Sequence, residues 1–119
     1  MSLVARHLEA ASIPTVVVGS ARDIVEECGV PRFLFVDYPL GNSTGRPFDA
    51  VDQTSIVRLA LDVLESAVSP RTTVQAPNRW PNDDWRITFM AVTDANRAKL
   101  SAAGERRRAS QAARAAERS

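Results

Sequence analysis

Asp37, Asn42, Ser43, Thr44 and Arg46 put an acid, an amide, two hydroxyls and a guanidinium into one short stretch, "DYPLGNSTGRPFD". The residues ahead of it, Phe33 to Val36, are uniformly apolar and read as a buried strand. Polar groups behind the carboxyl end of a buried parallel strand are placed to face a ligand or substrate, because helix N-termini and loop amides converge on that edge of an open α/β sheet. Pro39 and Pro47 stiffen the loop, while Gly41 and Gly45 permit tight turns. The alternative is a plain surface connection, although a loop from Asp37 to Phe48 is long for that role in a small domain. A second candidate is Ser20, which with Gly19 ends the run "TVVVG" at a helix start. An anion could sit there, but the stretch lacks the three glycines of a dinucleotide fingerprint and the lysine of a P-loop. Capping the helix is the other use of Ser20.

Groups able to attack a substrate are scarce. Cys28 is the single cysteine, late in a helical pattern among apolar neighbours, with nothing nearby in sequence to lower its pKa. A buried structural thiol is its default reading. His7, the single histidine, reads as a solvated helix residue. These counts exclude an internal disulfide, a cysteine-only zinc site and multi-histidine metal sites. No metal or cofactor is expected. Trp80 and Trp85 flank "PNDD" and either line a pocket or cover an apolar edge.

The elements that must position these residues follow from hydrophobic spacing. Residues 3–11 set Val4, Leu8 and Ala11 on one helix face. The run Thr15 to Val18, bounded by Pro14 and Gly19, lacks polar alternation, as a strand covered on both faces does. "SARDIVEECG" predicts a short helix that starts at Ser20 and stops at Gly29. "RFLFVDY" is a second buried strand, which completes a parallel βαβ unit. Residues 50–67 form the most secure helix, with Ile56, Leu59, Ala60, Val63, Leu64 and Ala67 opposite Arg58, Asp62 and Glu65. "TTVQAP" is a third strand, and "NRWPNDDW" is irregular. The expected fold is a small three-layer α/β domain around a parallel sheet, spanning 1–92, with an Ala/Arg-rich tail over 93–119. The tail is helical or disordered. An α/β alternation should begin on a strand, yet this chain begins on a helix. Its first strand is therefore expected to be missing or supplied by a partner.

Bulk properties narrow the class further. At 119 residues, 45% hydrophobic and 24% charged, the chain is ordinary globular material of one domain's length. No apolar run approaches the ~18 residues of a membrane span. The opening "MSLVARHLEAAS" lacks the basic and apolar regions of a secretory signal, so a cytoplasmic address is expected. Residues 95–119 hold seven Arg/Lys against two Glu, whereas the first 94 hold eight Arg against twelve acids. The tail is basic and the body mildly acidic. With no basic face on the body, neither nucleic acid nor membrane is expected as a partner.

The segment "HLEAASIPTVVVGSARDIVEECGVPRFLFVDYPLGNSTGRPFD" resembles the small proteins related to component B of the glycine/sarcosine/betaine reductases, a group rich in selenoproteins. The likeness rests on a helix entering "IPTV", the "GSARDI" helix start, "PRFLF" as a strand, and "DYPLGN" with "GRP". "NRWPNDDW" adds to it, and the match spans most of residues 3–90. The resemblance implies a selenocysteine or cysteine redox motif in a loop before the first helix, which would fall immediately upstream of Met1. This chain holds no counterpart. It implies a reaction in which a thiolate or selenolate, ionised at neutral pH, reductively cleaves a C–N or similar bond. Within that picture the Asp37–Pro47 loop borders the reacting centre, and Asn42 and Arg46 hold polar groups of a small-molecule substrate. Arg46 could grip a carboxylate in a bidentate fashion. Asp37 either joins them or pins the loop by accepting backbone N–H bonds, and Ser20 stands at the same sheet edge. Two smaller departures are Ser12, where relatives tend to have a helix-ending glycine, and "NST", where a Pro-Cys or similar pair often precedes "GRP".

The expected function is accordingly the substrate-side part of a thiol- or selenol-dependent reductase, inactive without the missing redox motif. A non-catalytic interaction or scaffold module is the alternative, its open sheet edge pairing with another subunit or with a second copy. A small anion- or nucleotide-binding domain built on Ser20 and the Asp37–Pro47 loop is the third.

Overall fold

The computed structural model describes residues 1–88 and 91–117; Phe89 and Met90 of the expected domain, and Arg118 and Ser119 of the expected tail, lie outside the described residues. Two compact units are present, Met1–Arg86 and Ile87–Ser119. In chain order the elements are α1 (Ser2–Ala10), β1 (Val17–Gly19), α2 (Arg22–Cys28), β2 (Arg32–Phe35), α3 (Ala50–Ser66), β3 (Thr72–Gln75), α4 (Asp84–Thr88) and α5 (Asp94–Glu117).

The three strands form one parallel sheet in the order β1-β2-β3. Val17 pairs with Phe33 and Gly19 with Phe35, while Arg32 pairs with Thr72 and Phe35 with Gln75. β2 is central because it carries the most apolar run. Successive strand side chains point to opposite faces, and the core divides accordingly. Phe33 joins Ala5 of α1 and Val30, with Val17, Val25 and Phe35 against them. Leu34 and Val36 join Tyr38, Ala76 and the inward residues of α3, namely Ile56, Ala60 and Val63. Leu34, Val36 and Ile56 are fully buried, each such side chain contributing roughly 1.5–3 kcal/mol of transfer free energy. The result is a small mixed helix–strand domain with an open three-stranded parallel sheet.

The local signals of the sequence are refined at several ends. α2 begins one residue later than the serine cap implies: its N-cap is Ala21, and no side chain caps it. Gly29 closes α2 in the left-handed region at φ 69°, where the guanidinium of Arg71 occupies the space a Cβ would need. The buried residue of α1 is Ala5, while Val4 stays half exposed. Ser12, just beyond α1, has φ 63°, a conformation glycine adopts without strain. No described helix is long and apolar enough to cross a membrane.

In the second unit, α5 is continuous through Glu117 and buries none of its described residues. Its start is held locally, with Thr93 N–H donating to Asn96 Oδ1 and the Asn96 amide to the Ala91 carbonyl. Frequent alanine, the best helix former, favours the rest.

Candidate functional site

The first turn of α3 organises the loop in front of it. Asp49 caps the helix, its Oδ1 accepting from Asp52 N–H at 2.9 Å. Asp52 lies four residues before Ile56 and so points into the core, with 7% of its surface exposed. Burying a carboxylate is tolerable only if donors surround it, and here they do. Tyr38 Oη donates to the carboxylate at 2.9 and 3.0 Å from its two oxygens. The Arg46 backbone N–H donates to Oδ2 at 2.8 Å, and Asn78 Nδ2 to Oδ1 at 2.7 Å. Arg46 Nε adds an electrostatic contact to Oδ2 at 3.5 Å, too long for a hydrogen bond. Burial works to raise the Asp52 pKa, but the bonds from Arg46, Asn78 and Tyr38 outweigh it and hold the carboxyl below its ordinary value. Tyr38 responds in the opposite sense. Burial, reinforced by the Asp52 carboxylate, pushes its hydroxyl up to about 12.

The loop is clamped further by the Arg46–Asp49 pair at 2.7 Å and by Gln53 Nε2 donating to the Arg46 carbonyl at 2.8 Å. Gly45 closes the approach. Its φ is 125°, and an added Cβ would stand 2.6 Å from Gln53 Cγ and 2.7 Å from Gln53 Cα. A loop with this many anchors is rigid where it meets α3.

Beyond the carboxyl ends of β2 and β3 lies a cleft of ≈ 390 Å³ lined by Asp37 and by residues between Gln75 and Arg86, notably Asn78, Arg79, Trp80 and Asp83. Trp80 stands edge-on to Tyr38, ring centroids 5.1 Å apart, so one side chain belongs both to the core and to the cleft wall. Arg86 spans the opening: Nη2 reaches Asp37 Oδ2 at 2.5 Å, Nε reaches Asp83 Oδ1 at 3.0 Å, and its guanidinium lies over the Trp85 ring at 4.6 Å. Donating to Asp37 and then to Asp83 raises the Arg86 pKa, so this cation is permanent. Arg79 is exposed at the same cleft. Fixed charges of both signs beside an indole suit a small polar or zwitterionic molecule.

Of the residues singled out from sequence, Asp37 lines the cleft. Arg46 is committed to Asp49 and Asp52. Asn42 forms the turn, its N–H donating to the Pro39 carbonyl and its carbonyl accepting from Gly45 N–H. Ser20 directly follows β1, with a buried Oγ that has no hydrogen-bond partner among the described residues. Cys28 is half buried at the last residue of α2, and its carbonyl accepts from Arg6. Among the described residues no group of three or more His, Cys, Asp or Glu could hold a metal ion. The residues that sequence reasoning passed over are Asp52, Asn78, Arg79 and Arg86. For Asp52 a signal existed, since an acid on the same face as Ile56, Ala60 and Val63 must find donors. No family model, characterised protein or solved structure matches the chain.

Proposed function

We propose that this chain is the substrate-side part of a thiol- or selenol-dependent reductase, with its cleft receiving a small zwitterionic substrate and the reducing atom delivered by another segment or subunit. The observation that carries the reading is the mixed-charge cleft at the carboxyl edge of a parallel sheet, where open α/β folds bind their ligands. Arg79 meets a substrate carboxylate, the carboxylate oxygens of Asp37 and Asp83 other than those bound to Arg86 meet a positive amine, and Trp80 packs against the aliphatic part. The residues of this chain orient the molecule and exclude water from one side; they attack nothing. The three-layer arrangement belongs to the same proposal. Ala5 and Val25 beside Phe33, and Ile56 with Val63 beside Leu34, support helices on both faces of the sheet.

Calorimetric titration of the full chain with glycine, sarcosine and betaine tests this. Saturable binding is expected for at least one, weakened about tenfold in Arg79→Ala through loss of one charged hydrogen bond, with the melting temperature unchanged. If none of the three binds, the reading fails.

A scaffold role is the second reading, and one observation favours it. Val36 N–H donates to the Gly19 carbonyl, so alternate backbone groups of β1 face the other way, and no strand pairs with that edge among the described residues. An apolar groove flanks it, lined by Met1, Val4, Leu8, Val16 and Val18. Such an edge is a template for a further strand. Concentration-dependent light scattering tests it, a strict monomer at every concentration counting against self-pairing.

A further inference from the structure

We propose that Ser110, on the exposed helix α5, is a phosphoacceptor for an arginine-directed protein kinase. The stretch Arg106-Arg107-Arg108-Ala109-Ser110 puts guanidinium groups four, three and two residues ahead of the hydroxyl. Kinases of that class hold their substrate by acidic side chains that pair with cations at the last two of these spacings, where a planar guanidinium makes two parallel bonds per carboxylate. No other serine or threonine in the chain has arginine both two and three residues ahead of it. Access is open, since Ser110 and its three arginines are exposed and α5 buries none of its described residues. A kinase cleft takes its substrate extended. Opening this part of α5 costs no core packing among the described residues, since none of those in the helix is buried.

The step is a phosphoryl transfer. Ser110 Oγ attacks the γ-phosphorus of ATP, the bond from that phosphorus to the β–γ bridging oxygen breaks, and ADP leaves. The hydroxyl proton passes to a carboxylate of the kinase. Once the helix re-forms, the phosphate lies one turn from Arg106 and Arg107 and one turn from Arg114, since residues three and four apart share a face. Residues 94–117 carry six Arg/Lys and three acids. A phosphate of roughly −1.5 to −2 therefore removes about half to two thirds of the net charge of +3 that those residues give α5. The modification leaves α5 only weakly basic, at about +1 to +1.5.

The test incubates the full chain with Mg-ATP and the catalytic subunit of cyclic-AMP-dependent protein kinase, read by intact mass and peptide mapping. One phosphoryl group on Ser110 is expected, absent in Ser110→Ala, a change that keeps the helix. Replacing Arg107 and Arg108 together by alanine should lower kcat/KM about tenfold or more, two charged contacts being lost. No incorporation, incorporation at another residue, or equal rates for the double arginine variant would each overturn the proposal. Circular dichroism of each variant confirms that helix content is retained, so a negative result bears on recognition.

Discussion

Asp52→Asn takes one charge away from a point where the Tyr38 hydroxyl, the Arg46 backbone N–H, the Asn78 amide and the Arg46 guanidinium all converge. Asparagine keeps one carbonyl oxygen and turns the other position into an NH₂ donor. If that oxygen stays with Tyr38 and Asn78, the new NH₂ meets the Arg46 N–H, donor against donor at the present 2.8 Å. If the amide turns over, the clash moves to Asn78. Either way a buried donor is left without an acceptor, costing about 1–3 kcal/mol, and the remaining bonds lose their charge assistance. A loss of roughly 2–4 kcal/mol is therefore expected, a large share of the ~5–15 kcal/mol that stabilises a domain of this kind. Urea unfolding followed by tryptophan fluorescence measures it, with Trp80 against Tyr38 as a nearby reporter. The control is Asp62→Asn, an exposed acid on the same helix, expected within about 0.5 kcal/mol of wild type. Should Asp52→Asn behave like Asp62→Asn, the buried carboxylate does not hold the loop and the site reasoning is wrong.

Tyr38 is the protein's single tyrosine, so phenolate absorbance during a base titration reports it alone. Its folded pKa of about 12 exceeds the ordinary 10.0, so this stabilisation is present below pH 10 and is lost as pH rises towards 12. Asp52→Asn should bring the titration midpoint down towards 10, and an unchanged midpoint would deny the coupling. The lowered Asp52 pKa acts at the other extreme, contributing stability above 3.8, the ordinary value, that disappears as pH falls through the folded value. Gly45→Ala should cost at least about 2 kcal/mol by combining a strained φ with the clash on Gln53, measured by thermal melting. Ser12→Gly should stabilise by about 0.5–1 kcal/mol, because a left-handed residue loses its Cβ strain; a lower melting temperature would contradict this.

How much of this was legible beforehand varied with the kind of signal. Strands β1, β2 and β3 were visible as β-branched or apolar runs, and their parallel order followed from the intervening helix. The long helix α3 was placed within a residue, because its apolar stripe is wide. Ser20 misled because a serine before a helical pattern looks like a cap, whereas the chain turns at Ala21 and leaves the hydroxyl inside. The loop's importance was legible, but the partners of its residues were not. Arg46 looked free in sequence, yet Asp49 and Asp52 lie within six residues and take its guanidinium. Asn78 and Arg86 come from the far side of β3, and nothing local announces contacts spanning 26 and 49 residues of chain. α5 shows the reverse case, where a tail with no apolar face still forms a long helix on alanine content alone.

Asn78 and Arg79 are consecutive, yet one is anchored on a buried carboxylate and the other faces open solvent in the cleft. A molecule that grips Arg79 thus tugs on the neighbouring residue, whose side-chain amide is hydrogen-bonded to the protein's innermost acid, and through it on the sole phenol. Occupancy of the cleft would then be audible in the ultraviolet spectrum of an unlabelled sample, with no dye and no knowledge of what has bound.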